Sequence, residues 1–250
     1  NPGLALPLIA LQYHEVKVKV TLERLQNLTR SVEDDVAPVT RGNSAAVAVS
    51  PKLFVDYVYL DTDERRRFAQ VSHEYLIEQL QEREESVSSV STQVDLNFNH
   101  PVKELVWVFV REDNAATNRQ TGNQPLNFLG QDNGGRSARE HFRTATLKLN
   151  GHERFAPRNA SYFRVVQPYQ HHTNAPRKPI YVYSFALKPE EHQPSGTCNF
   201  SRIDNAQLDL QGINVTNANG DASNLNLKIY AVNYNVLRIM SGMGGLAYSN

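Results

Sequence analysis

Residues 59–69, "YLDTDERRRFA", set two carboxylates one residue apart at the end of an apolar run, "LFVDYVY". Asp61 and Asp63 are the right groups for a divalent cation, because hard cations take oxygen ligands. Glycosyltransferases and some phosphatases use such a pair. The residues that follow argue against it. Arg65, Arg66 and Arg67 compete for the carboxylates, and a phosphatase of the aspartyl-phosphate type wants a glycine and a small hydroxylated residue where Glu64 and Arg65 stand. The same residues make a helix start: Asp61 or Thr62 as N-cap, Asp63 and Glu64 in the positive first turn, and acid–base pairs three and four residues apart. A strand ending and a helix beginning is the reading adopted, so Asp61 and Asp63 are not assigned as a site.

The other chemistry-bearing residues fare no better. "HEYLI" (73–77) begins like a zinc-protease helix, but Ile77 stands where the second histidine belongs. His171 and His172 are adjacent, so on a strand their rings point to opposite faces and cannot share a metal. The histidine pair of a cupin, one residue apart on a strand, does not occur. Cys198 is the one cysteine, has no CxxC partner, and reads as a buried structural thiol. "SGMGGLAYS" (241–249) is glycine-rich but no helix follows it, so it is no dinucleotide fingerprint and reads as a flexible or docking tail. Asn27, Asn159, Asn199 and Asn214 each open an Asn-X-Ser/Thr triplet and fit the N-glycosylation pattern. No catalytic, cofactor-binding or metal-binding residue is assigned, and no cofactor is expected.

The elements that would position a site are mostly strands. "HEVKVKVTL" alternates Val16, Val18, Val20 and Leu22 with Lys17, Lys19 and Thr21, the period of a strand with one wet face. Further strands are expected in "KLFVDYVYL" (52–60), "VDLNFN" (94–99), "IYVYSFAL" (180–187) and "NLKIYAVNYNVLRI" (226–239). "ELVWVFV" (104–110) is apolar on both faces and reads as a central strand, with Trp107 in the core. "ATLKLNGHERF" (145–155) carries Asn150-Gly151, a strong hairpin signal. Short helical turns are expected after Asp61 and within 158–167. Connections at 30–50, 111–143, 168–179, 188–200 and 213–224 are long and rich in turn residues. Many strands, few helices and such loops predict an all-β sandwich or barrel. The polar 111–143 segment is expected at an outer surface or intersubunit contact.

The chain has 250 residues with 26 basic and 26 acidic side chains. That length makes one large domain or two smaller ones. Genome-coating proteins carry a basic excess, because phosphate neutralisation dominates their affinity, and this chain carries none. No direct nucleic-acid contact is therefore expected. No apolar run approaches the ~20 residues of a membrane span, so no membrane insertion is expected. A single cysteine fits a reducing compartment. The opening "NPGLALPLIA", in mid-pattern and without Met, reads as a piece of a longer protein. The strand pattern stops at Leu25 and resumes after Pro51, which makes 26–50 a connector.

Five stretches in order resemble one family: residues 1–18, 57–81, 162–174, 184–210 and 229–250. "QPSGTCNFSRID" and "YAVNYNVLRI" are the most specific. The chain resembles the major capsid protein of nucleocytoplasmic large DNA viruses of the iridovirus and algal phycodnavirus type. The resemblance implies a double jelly-roll protein. Residues 1–25 would be the last strands of the N-terminal jelly roll, 26–50 the connector, and 51–250 the C-terminal jelly-roll domain. It implies a structural, non-enzymatic virion protein. Homotrimers with a pseudo-hexagonal outline would tile an icosahedral shell, since three chains supply six similar domains around a threefold axis. The implied partners are further copies, neighbouring capsomers and minor capsid proteins, with assembly in the host-cell cytoplasm. The alternative weighed beside it is a jelly-roll carbohydrate-binding module, because fold alone does not fix function.

Overall fold

The computed structural model describes residues 2–22, 51–111, 128, 140–216 and 224–249. The 111–143 segment, but for its ends and residue 128, falls outside them, as do residues 26–50 and Asn27. The chain forms two compact units, Asn1–Ile77 with Asn235–Asn250, and Glu78–Tyr234.

Two antiparallel sheets hold the strands. The first has the order β1 (His73–Val87), β10 (Leu225–Met240), β3 (Pro101–Arg111), β7 (Tyr181–Ser184), with β11 (Met243–Leu246) added to β10 and β8 (Cys198–Asn199) to β3. The second has the order β2 (Ser91–Asp95), β9 (Ala206–Gln211), β4 (Thr144–Leu149), β5 (His152–Glu153), with β6 (Arg158–Asn159) also on β4. The expected all-β class holds, and the sandwich core lies within the 78–234 unit. Leu105, Trp107 and Phe109 of β3 and Leu225, Leu227, Ile229 and Ala231 of β10 bury the inner face of one sheet. Ala145, Leu147, Leu208 and Leu210 bury that of the other. β9, and β10 from Leu225 to Asn233, show why a period-two sequence makes such a layer: every second residue is buried and the alternates are more exposed. β3 is buried on both faces, as its unbroken apolar run predicts. Val94, Leu96 and Phe98 are buried in alternation, although the strand itself ends at Asp95.

The Asn150-Gly151 hairpin forms between β4 and β5, with φ of 52° and 79°, the positive pair such a turn requires. Helix α1 (Thr62–Gln70) follows Asp61, and a π-helical turn (Tyr162–Val166) runs into α2 (Gln167–His171). Gln167 is buried and closes this corner: its carbonyl oxygen accepts from the Ser184 N–H at 3.0 Å and its amide donates to the Tyr162 hydroxyl at 2.9 Å.

Three expectations are corrected. Residues 14–22 and 52–60 are not strands; both lie outside regular secondary structure, joined to no described strand, with their side chains largely exposed. Alternation prepares a segment for pairing, but a strand exists only where a second backbone supplies the ladder. Of the two readings of residues 241–249, a flexible or a docking tail, the flexible one is corrected. Ser241 and Gly242 turn the chain with φ of 54° and 83°, and β11 pairs back onto β10 from Met240↔Met243 to Leu237↔Leu246. β1 and β9 are strands that the sequence pattern does not announce.

Candidate functional site

The acidic pair resolves into helix capping. Asp61 sits in extended backbone and its Oδ1 accepts from the Glu64 N–H at 2.9 Å. Asp63 reaches Arg66 at 3.6 Å, one turn on, with both side chains largely in water. Among the described residues, no group of three His, Cys, Asp or Glu side chains is arranged to hold a metal.

"HEYLI" opens β1, and the His73 ring lies 2.8 Å from the Phe68 carbonyl at the end of α1. His171 and His172 stand not on a strand but at the end of α2, so the strand argument that separated them does not apply. They are still separated. His171 Nδ1 meets the Leu187 carbonyl at 3.0 Å, while the His172 ring points at two carboxylates. Cys198 is half-buried rather than buried, and desolvation pushes its thiol above the ordinary value, away from thiolate reactivity. Asn159 is exposed on β6. Asn199 and Asn214 are half-buried, and each turns its side-chain oxygen onto a nearby N–H, of Ser201 at 3.1 Å and Thr216 at 3.2 Å.

The feature that sequence reasoning missed is a buried charge cluster on a β-bulge. Val232 pairs with Glu104 and Asn233 with Val102, which leaves Lys103 as the extra residue of β3. A bulge disrupts the ladder locally and re-aims side chains. The freed Lys103 carbonyl accepts from the N–H groups of Phe185 and Ala186 at 2.9 and 3.2 Å. The buried Lys103 ammonium reaches Glu78 at 2.7 Å and the Pro189 carbonyl at 2.6 Å, and lies over the Tyr234 ring. Next to it, the buried Glu104 carboxylate lies 2.9 Å from His172 Nε2, and Glu190 lies 3.2 Å from His172 Nδ1. Nothing in "VKELV" signals a bulge. The only hint is a Lys-Glu pair inside an otherwise apolar strand.

The second feature is apolar surface. In the unit of residues 1–77 and 235–250, Val16, Val18, Val20 and Leu22 are exposed, as are Leu53, Phe54, Val55, Tyr57, Val58 and Tyr59. Phe54 is 89% and Tyr59 91% exposed. Single exposed apolar residues are ordinary, but two segments lined with them mark contact surface.

Comparison with known proteins agrees. The family model described as "Large eukaryotic DNA virus major capsid protein" matches residues 64–245, and that of the "Major capsid protein N-terminus" matches residues 1–61. The chain belongs to this capsid protein family. The major capsid protein of Pyramimonas orientalis virus is 50% identical over 273 residues, covering 100% of this chain and 59% of that protein. That of Phaeocystis pouchetii virus is 42% identical over 331 residues, covering 100% and 63%. This chain thus spans about three-fifths of the length of these relatives. In a quasi-atomic model of the PBCV-1 virus capsid, one chain superimposes with a TM-score of 0.68 at 38% identity, covering 100% of this chain and 68% of that one. The two antiparallel sheets are those of a jelly-roll capsid protein.

Proposed function

We propose that this chain is part of a major capsid protein with a structural, non-enzymatic role, building the shell of a large DNA virus. The observation that carries the reading is the family match, which runs from residue 1 to 245 with one short break at the helix start. The absence of a catalytic constellation in the sequence and the two exposed apolar segments fit a protein whose work is contact. Three copies form a homotrimer of pseudo-hexagonal outline, and trimers tile the icosahedral facets beside neighbouring capsomers and minor capsid proteins. Assembly takes place in the host-cell cytoplasm. Residues 1–25 supply strand material that the rest of the N-terminal jelly roll would pair, 26–50 connect, and 51–250 belong to the C-terminal jelly roll. The formal net charge of +0 suits close packing of many copies, since like charges would repel. Asn27, Asn159, Asn199 and Asn214 remain the acceptor sites for any N-linked glycan, with exposed Asn159 the most accessible of those described.

Electron microscopy of the protein expressed from its complete open reading frame tests the reading. Particles with threefold symmetry and a hexagonal outline are expected. Isolated single-subunit particles at every concentration would overturn it.

A further inference from the structure

Lys103 and Glu104 stand side by side at the bulge, and each places a charge where water is scarce. A buried charge persists only when it is paired and hydrogen-bonded. Lys103 is met by Glu78, the Pro189 carbonyl and the Tyr234 ring, with no histidine involved. Glu104 is met by His172, at 2.9 Å, with only 11% of its side chain exposed.

The His172 ring has a carboxylate against each nitrogen: Glu104 at Nε2 and Glu190 at Nδ1. A neutral imidazole carries one N–H and one lone pair, so it can satisfy one of these carboxylates and must oppose the other. The imidazolium carries a proton on each nitrogen and attracts both, hydrogen-bonding Glu190 at Nδ1 and meeting Glu104 at Nε2 as a close charge pair without hydrogen-bond alignment. The second Glu190 oxygen accepts from the Thr173 N–H at 2.9 Å and from the Thr173 hydroxyl. His171 adds its contact with the Leu187 carbonyl. Residues 171–173 are thereby sewn to the 187–191 turn, and both to β3.

We propose that His172 is a proton-operated clasp: as imidazolium it holds residues 171–173 and the 187–191 turn against β3, and as neutral imidazole it releases them. All these residues lie in the 78–234 unit, so the proposal does not rest on the capsid reading. The clasp carries exposed Leu187, so release moves an apolar side chain at the surface.

The surrounding charges favour the proton. Glu78 comes from β1, Lys103 and Glu104 from β3, Tyr234 from β10, and His171 from α2. The turn supplies Lys188, Glu190 and Glu191, of which Lys188 and Glu191 pair at 3.0 Å. Glu104, and then Glu190, hold the His172 imidazole above its ordinary value, although burial pulls the other way. A histidine raised on folding stabilises fully below the ordinary value of about 6.5, and that contribution disappears as pH rises through the raised value. The clasp is shut in acid and opens in base.

The test is a pH titration of histidine side chains by NMR on the whole chain, with amide hydrogen exchange corrected for intrinsic rates. His172 is expected to titrate above 6.5. Protection at 171–173 and 187–191 should fall through that titration by about tenfold for each unit by which it is raised. Glu104→Gln should lower the titration, and His172→Gln should give low protection at every pH. His171→Gln should retain the pH step. Should Glu104→Gln not fold, Glu190→Gln, on the exposed turn, must also lower it. A His172 that titrates at or below 6.5 with both carboxylates intact would overturn the proposal. So would a pH step that survives in His172→Gln.

Discussion

Trp107 is the clearest case of a residue that behaves as its sequence neighbourhood demands. It is 1% exposed, its ring lies 5.2 Å from that of Phe163, and it stacks on Tyr181 at 5.9 Å. Its indole N–H is buried with no acceptor among the described residues. Trp107→Ala removes the ring and leaves a cavity, so it is expected to destabilise by about 3–5 kcal/mol in urea unfolding. Trp107→Phe keeps most of the ring and deletes the orphan donor, whose burial is itself costly. It should therefore cost less than half as much. Equal losses for the two variants would show that the indole nitrogen contributes through a bond to water. The same scale decides the acidic pair: one 2.9 Å bond from the Glu64 N–H to Asp61 turns a candidate metal ligand into a helix cap.

At the scale of elements, the β10–β11 hairpin offers the sharpest contrast. Gly151 and Gly242 both have positive φ, 79° and 83°. A Cβ at Gly151 would meet open space, whereas one at Gly242 would collide with the Tyr13 ring. Gly151→Ala is expected to cost on the order of 1 kcal/mol from backbone strain alone. Gly242→Ala should cost clearly more in the same thermal melts, unless Tyr13→Ala is introduced with it, which should bring the two sites level. Gly242→Ala matching Gly151→Ala on its own would mean that the Tyr13 ring yields freely. The hairpin at Asn150-Gly151 is legible in the sequence because its turn chemistry is local. β3, β7 and β10 are legible because apolar runs and strict alternation report burial directly. β11 is hidden because Gly244 and Gly245 carry no side chain to show a pattern. β1 is hidden for a different reason: from residue 79 to 85 its half-buried positions hold Gln79, Gln81, Arg83 and Glu85 rather than apolar residues. Gln81 shows what such a position does, bonding both the N–H and the carbonyl of Asn99 and the side chain of Asn233. Long-range polar partners of this kind leave no period in the sequence. Nor does a bulge, so the Glu104–His172–Glu190 cluster becomes visible only with the strand register.

At the scale of the molecule, residues 14–22 and 52–60 decide most. Their alternation and apolar content mark them as strand material, yet within this chain they pair with no described strand. Both fall inside the 1–61 match to the capsid N-terminus, and the relatives are longer than this chain by some two-fifths of their length. Exposed strand material with an apolar face is an aggregation hazard unless it is covered. On the capsid reading, the remainder of the N-terminal jelly roll covers it, and the completed subunit then associates by threes. Light scattering on the protein expressed from its complete open reading frame measures this most directly. A stable particle of three subunits is expected across a wide range of concentration. A single-subunit mass that persists at high concentration would contradict the capsid reading.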